Sequence, residues 1–290
     1  MEEILERKAT PIEEEDEGTD RRAALKMAGV GLAGLAALQA TRPIRAIASV
    51  GEAGAGTPRY AMVIDLRRCI GCRGCTVACK SEFQDAIGVF RSCVQQKDKG
   101  TYPAKRRFLP VLCNQCADPP CVDACPVDPV QRSYKGVAFE GKATYQRPDG
   151  VVLMDESICI GCGLCKEACP YGARFFHPFR KAGAAPENNT ISKCTYCDHR
   201  MDQGVVPSCV NTCLGKARIF GDLNDPTSAV SKLLKANRTE VLLPKYAWTD
   251  EGGKPHVGTD PHTFYIAFEE GVYQRYRQGI EEEGFHDEIK

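Results

Sequence analysis

The chain has 290 residues, with 38 basic and 38 acidic side chains and no net formal charge, so nothing electrostatic favours a nucleic acid or an acidic substrate as its partner. A hydrophobic content of 43% is ordinary for a soluble globular protein, and the length allows one large domain or two small ones. The 17 cysteines are the anomaly: sixteen fall into four groups of four, and Cys93 is left over.

Residues 1–20 are acidic and polar, with Glu13, Glu14, Glu15, Asp16 and Glu17 together, and read as a solvated extension. Asp20-Arg21-Arg22-Ala23-Ala24-Leu25-Lys26 then leads into the apolar run Met27 to Ala40, which is shorter than the roughly 20 residues needed to span a bilayer. Paired arginines, a moderately apolar run rich in Gly and Ala, and the Ala46-Ile47-Ala48 site make a secretory signal of the twin-arginine kind. Ala24 stands where a Phe is common, and the leader is long. The expectation is a twin-arginine signal peptide with an acidic leader over residues 1–48 and one domain over 49–290. That domain is expected on the periplasmic, outer face of the cytoplasmic membrane.

Residues 51–58 are Gly- and Ala-rich linker. Tyr60 to Asp65 is a β-prone run before Cys69, and the same layout recurs at Val151 to Asp155 before Cys159. An Asp stands four residues before each first cysteine, and both runs continue Cys-Ile-Gly-Cys. This internal repeat predicts duplicated strand–loop–cysteine units.

The first group is Cys69, Cys72, Cys75 and Cys79, spaced C-x2-C-x2-C-x3-C, with Lys80 following. The second is Cys113, Cys116, Cys121 and Cys125, with a wider middle gap filled in part by Asp118-Pro119-Pro120, and Pro126 following. The third is Cys159, Cys162, Cys165 and Cys169, followed by Pro170, and has the complete C-x2-C-x2-C-x3-C-P run of bacterial ferredoxins. Gly161 and Gly163 let its backbone turn without a Cβ penalty. The fourth is Cys194, Cys197, Cys209 and Cys213, split by a long loop that includes Met201 to Val206.

Between the second and third groups, Val130 to Asp149 is a polar, Gly-bearing insert expected to form a surface hairpin. Ala182 to Asn189 reads as another loop. Ala217 to Leu223 predicts a strand, Asp225-Pro226-Thr227 the start of a helix running to about Ala236, and Thr263 to Phe268 a last strand. The tail from Glu269 is charged and peripheral.

Three chemistries compete for the cysteines. Disulfides suit an exported chain, but adjacent C-x2-C-x2-C runs cannot all pair locally, and an odd total leaves one thiol. Zinc uses two C-x2-C pairs separated by a loop; the fourth group alone fits that pattern, and zinc remains open there. Three closely spaced thiolates plus an offset fourth fit a cube better than one ion, which favours iron–sulfur clusters. Sixteen ligands divide into four [4Fe–4S] clusters. The twin-arginine route, which moves proteins already folded around their cofactors, agrees with that assignment. Cys93 reads as a small buried hydrophobe. His177, His199, His256, His262 and His286 are scattered and read as surface or satisfied residues. No nucleophile–base pair, phosphate loop or dinucleotide fingerprint stands out, so no catalytic residue is expected.

Four cysteine groups, the second widened and the fourth split, resemble the iron–sulfur electron-transfer subunits of the molybdopterin-dependent dimethyl sulfoxide reductase family. The likeness covers roughly residues 59–245. Tyr60 to Cys72, Ala168 to Arg174 and Ala217 to Pro226 look most like the B subunits of tetrathionate, polysulfide and thiosulfate reductases. The resemblance implies an α+β fold: tandem bacterial-type two-cluster ferredoxin units, loop-rich, with short β-ribbons and four [4Fe–4S] clusters. It also implies the ligand sets. Cys69, Cys72 and Cys75 would share a cluster with Cys213. Cys194, Cys197 and Cys209 would share one with Cys79. Cys113, Cys116 and Cys121 would join Cys169, and Cys159, Cys162 and Cys165 would join Cys125. The expected function is electron relay between a membrane quinone-linked anchor subunit and a molybdopterin catalytic subunit. The chain itself would be non-catalytic, with no membrane span. The alternative is a free exported polyferredoxin shuttling between redox partners. Relative to the family, the Val130 to Asp149 insert is long and the His256 to His262 loop is extended.

Overall fold

The computed structural model describes residues 56–99, 105–245 and 247–267. Residues 1–48, expected to be a twin-arginine signal peptide with an acidic leader, and the charged tail from Glu269 lie outside the described residues.

Strand β1 (Tyr60–Asp65) is the centre of the architecture. It pairs antiparallel with β10 (Arg218–Asp222) and parallel with β13 (Thr263–Ile266), in the order β10-β1-β13. Side chains alternate across a strand. Here Tyr60, Met62 and Ile64 face the main core, while Ala61 and Val63 face a second cluster with Val230 and Ile266. Both faces are covered, which is why this run is apolar throughout. The second cover is helix α6 (Ala229–Ala236), whose Leu233 and Leu234 pack there.

The other described strands make two-stranded ribbons. They are β2 (Ser92–Lys99) with β3 (Lys105–Leu112), β4 (Val130–Tyr134) with β5 (Val137–Gly141), and β6 (Thr144–Gln146) with β7 (Val152–Met154). Two more are β8 (Arg174–Ala182) with β9 (Ala185–Lys193), and β11 (Ala247–Thr249) with β12 (Pro255–Val257). Five short helices lie beside the cysteines: α1 (Gly74–Phe83), α2 (Pro120–Asp123), α3 (Leu164–Glu167), α4 (Asp198–Met201) and α5 (Ser208–Asn211). A run this rich in small ribbons cannot bury a large apolar core, and the main core is accordingly interleaved with Cys75, Cys113, Cys116, Cys194 and Cys209.

The repeat has a common physical cause. Asp65 Oδ1 accepts from the backbone N–H of Arg67 at 3.1 Å, and Asp155 Oδ1 accepts from that of Ser157 at 2.9 Å. Each Asp turns the chain from its strand, β1 or β7, into the first cysteine of its group.

Three expectations are corrected in detail. The Val130 to Asp149 insert does form a hairpin, β4–β5, turned by Lys135 (φ 48°) and Gly136 (φ 82°) as a two-residue reversal needs. Its far end is not surface: Thr144 and Asp149 are fully buried, and the Arg147–Asp149 ion pair at 2.7 Å folds that end inward. The segment Ala182 to Asn189 is not a free loop but the tip and second arm of the β8–β9 hairpin. It is polar because Asn188 donates to the carbonyl of Ile160 at 2.9 Å and closes over the third cysteine group. Helix α6 begins at Ala229 rather than Asp225. Asp225 is spent on a turn to the N–H and hydroxyl of Thr227, while the Ser228 hydroxyl accepts from Ser231 N–H at 3.0 Å and caps the helix.

Candidate metal centres

Each C-x2-C pair is made by one backbone device. The residue before the second cysteine is left-handed in all four groups: Gly71 (φ 69°), Gln115 (φ 48°), Gly161 (φ 66°) and Tyr196 (φ 57°). That turn aims backbone N–H groups at the sulfur just passed. Gly161 N–H donates to Cys159 Sγ at 3.3 Å and Tyr196 N–H to Cys194 Sγ at 3.5 Å. The Gly71 N–H holds the Cys69 thiol down against the rise that burial imposes. Glycine is required where space is shortest: a Cβ on Gly71 would lie 2.3 Å from the Phe108 ring, and one on Gly161 2.7 Å from the Asn189 carbonyl oxygen. At the other two positions a Gln and a Tyr take the strained conformation, each fully buried and tied by its side chain.

The fold brings the sixteen cysteines into four sets. Cys69, Cys72, Cys75 and Cys213 line one cavity of about 340 Å³, counting the space open to solvent. Cys113, Cys116, Cys121 and Cys169 line a second, of about 320 Å³. Cys125, Cys159, Cys162 and Cys165 line a third, of about 270 Å³. Cys79 stands among Cys194, Cys197 and Cys209. In each set three cysteines come from one sequence group and the fourth from another. The exchange follows from helix geometry: Cys75 and Cys79 lie one turn apart on α1, so they serve neighbouring sets.

The sets form a line. Along it the set of Cys69 comes first, that of Cys79 second, that of Cys113 third and that of Cys159 fourth: Cys75 of the first lies beside Cys209 of the second, Cys194 of the second beside Cys113 of the third, and Cys121 of the third beside Cys165 of the fourth. The middle two sets are buried apart from the half-buried Cys169. The end sets reach the surface through Cys72 and Cys162.

The donor chemistry fits an iron–sulfur cluster. Burial pushes the thiols up, to about 12 for Cys169 and Cys194 and further for Cys79 and Cys197, with neighbouring cysteines adding to the rise. Such sulfurs ionise only against positive charge set directly on them. Among the described residues, no three Cys, His, Asp or Glu side chains close on a point as one metal ion requires. A single zinc would draw four sulfurs to about 2.3 Å. Four thiols spread round a cavity suit a multi-atom body with soft ligands.

Cys93 is half-buried rather than buried and packs against the main core. Two of the histidines meet the expectation of a surface or satisfied residue and two do not. His199 and His256 pair with Glu82 at 2.7 Å and Asp250 at 3.0 Å. His177 and His262 are buried, and each has one ring nitrogen without a hydrogen-bond partner among the described residues, so neither is at the surface nor satisfied. His177 Nδ1 accepts from the N–H groups of Phe179 and Arg180, a role in shaping β8 that no spacing announces. His286 lies outside the described residues.

Sequence reasoning missed Arg174 and Arg218. Arg174 Nη2 donates to Cys121 Sγ at 3.0 Å, and Arg218 Nη1 to Cys209 Sγ at 3.6 Å. A signal was present: each arginine follows an Ala and stands five residues after the last cysteine of its group.

A 4Fe-4S dicluster domain family matches residues 104–223. The chain is 38% identical to the B subunit of tetrathionate reductase from Salmonella typhimurium, over 87% of this chain and 90% of that one. It is 35% identical to the arsenate respiratory reductase iron–sulfur subunit of a Shewanella species, over 72% of this chain and 96% of that one. It is also 35% identical to the B subunit of selenate reductase from Mesobacillus selenatarsenatis, over 72% of each.

Proposed function

Because this chain belongs to the family of iron–sulfur electron-transfer subunits of dimethyl-sulfoxide-reductase-type molybdoenzymes, whose role in their complexes is not catalytic, we propose that it holds four [4Fe–4S] clusters in a row. They relay electrons between a membrane quinone-linked anchor subunit and a molybdopterin catalytic subunit. The observation that carries this reading is the grouping of the cysteines: all sixteen fall into four sets of four, and a cysteine of each set lies near one of the next.

When bound, such a cluster takes up and gives back one electron without changing its ligands. The residues of the chain supply the rest. Cysteine sulfurs fix the positions, left-handed turns bring N–H donors to sulfur, and burial keeps water from the middle of the row. The two ends suit docking. Exposed Ile70 lines the cavity beside Cys72, with exposed Leu214 next in sequence to Cys213 of the same set, and around Cys162 stand exposed Leu164 and Phe176. Apolar side chains of this size at the surface favour protein partners there. Among the described residues no helix is long and apolar enough to cross a membrane, so contact with a quinone site would go through a partner. We further propose that residues 1–48 are a twin-arginine signal and that the domain works on the outer, periplasmic face of the membrane.

The test is iron and acid-labile sulfide analysis, with low-temperature electron paramagnetic resonance, on the full chain purified without oxygen. About sixteen of each per chain, at four per four-cysteine set, with interacting signals on reduction, is expected. Zinc in place of iron would end the electron-relay reading. Copurification of a large catalytic subunit is expected. Its consistent absence from native membranes and extracts would favour a free shuttle.

A further inference from the structure

Five buried basic side chains are present among the described residues: Arg91, Arg147, Arg174, Lys193 and Arg218. Two of them hold a carboxylate, Arg91 with Asp85 at 2.9 Å and Arg147 with Asp149 at 2.7 Å. The other three hold none among the described residues. Buried cations are costly unless compensated, so the location of these three needs a cause.

All three lie at junctions between neighbouring cysteine sets. Arg218 lines the first cavity and donates to Cys209 of the second set. Arg174 lines the cavity of Cys113, Cys116, Cys121 and Cys169, the third set of the row, donates to Cys121 there, and pulls down the Cys165 thiol of the fourth set against its burial. Lys193 Nζ donates to the carbonyl of Cys194 in the second set at 2.8 Å and to that of Val152, which lines the cavity of Cys113, Cys116, Cys121 and Cys169. Four sets in a row have three junctions, and each carries one unpaired cation.

The two arginines are held alike although they follow different groups. Each donates to a hydroxyl oxygen, Arg174 to that of Thr144 at 3.2 Å and Arg218 to that of Ser92 at 2.8 Å. Each also reaches the sulfur of a methionine, Met154 in β7 and Met62 in β1, the equivalent strands of the repeat. Neither hydroxyl nor thioether neutralises a guanidinium. The charge faces sulfur on both sides.

We propose that Arg174, Lys193 and Arg218 are potential-setting residues: fixed positive charges, one between each pair of neighbouring clusters, that hold the reduction potentials up and screen the electron on one cluster from the next. The inference rests on the cluster assignment above. Its physical basis is that in a low-dielectric interior a fixed charge a few ångströms away favours the more negative, reduced state strongly. Hydrogen bonds to the sulfurs act in the same direction. Screening matters because adjacent reduced sites repel.

The experiment uses the full iron-loaded chain and measures iron content together with a redox titration followed by electron paramagnetic resonance. Arg174→Gln, Lys193→Gln and Arg218→Gln are compared with Arg174→Lys and Arg218→Lys. Each Gln variant is expected to keep its iron and to shift the reduction equilibrium of the flanking sites at least tenfold toward the oxidised state, 59 mV downward for one electron. The Lys variants are expected to shift less than half as far. Gln variants with full iron and unchanged potentials would overturn the inference, as would equal shifts in the Lys and Gln variants, since packing would then be the cause. Where an arginine variant comes short of iron, Lys193→Gln decides on the same potential criterion, because that side chain bonds to carbonyls and to no sulfur. A parent chain without iron would remove the cluster assignment and this inference with it, a different result from a loaded chain whose potentials do not move.

Discussion

The side-chain N–H of Gln115 donates to the carbonyl oxygen of Cys194 at 2.8 Å, so the second cysteine group is bonded to the fourth across 79 residues of sequence. The same side chain's oxygen accepts from the Val152 N–H at 2.7 Å. One fully buried residue thus joins the β6–β7 ribbon and two cysteine sets, and does so from a left-handed backbone.

Replacing Gln115 by Ala leaves the buried Val152 N–H without its partner, at about 1–3 kcal/mol, and takes one of two donors from the Cys194 carbonyl, which keeps its bond from Lys193. Gln115→Ala is therefore expected to lower the thermal denaturation midpoint clearly. Gln115→Gly loses the same two bonds but releases the left-handed strain, worth about 1 kcal/mol, so it should melt above the Ala variant. Differential scanning calorimetry under anaerobic conditions checks the order.

Gly161→Ala places a Cβ 2.6 Å from that of Asn188 and 2.7 Å from the Asn189 carbonyl oxygen, at φ 66°. The Cys159 loop has to open, and iron content is expected to fall by about four of sixteen per chain, the share of one four-iron site. Gly136→Ala is the control. Its φ is 82° but nothing lies within 4 Å, so it should keep all its iron and lose only about 1–2 kcal/mol of stability.

Cys169 belongs by sequence to the third group but lines the cavity of Cys113, Cys116 and Cys121. Cys169→Ser is expected to alter the same paramagnetic signal as Cys113→Ser and to leave that altered by Cys159→Ser in place. If Cys169→Ser and Cys159→Ser change one common signal instead, the exchange of fourth ligands is wrong.

His262 is buried and accepts from Arg59 Nε at 3.4 Å. Burial, helped by the Arg59 charge, pushes its imidazole down from 6.5 to about 4. The unfolded chain therefore binds this proton at higher pH than the folded one. Above pH 6.5 the ring is neutral in both states and costs nothing. As pH falls from 6.5 to about 4, stability is lost, by up to about 3 kcal/mol at 1.36 kcal/mol per unit. His262→Gln should remove this component, so that the gap in denaturation midpoint between parent and variant closes as pH falls over that window. A gap constant with pH would contradict it.

The cysteine spacing alone marked out the sixteen cysteines that the fold gathers into four sets, because short fixed intervals between thiols are visible in any sequence. Strand β1, the repeated Asp65 and Asp155 turns and the β4–β5 hairpin were equally readable, since each depends on residues within a few positions of one another. The long-range pieces were not. Arg174 lies 53 residues from Cys121, and Lys193 is 41 residues from Val152. The arginines' shared place five residues after a cysteine marks their position but not their surroundings, and Lys193 has no such mark; only packing takes all three out of water and sets them without carboxylates between the sulfurs. Likewise Gln115 and Tyr196 look unsuited to left-handed turns that Gly71 and Gly161 make easily. Bonds from distant strands hold them there, and local sequence has no record of those bonds.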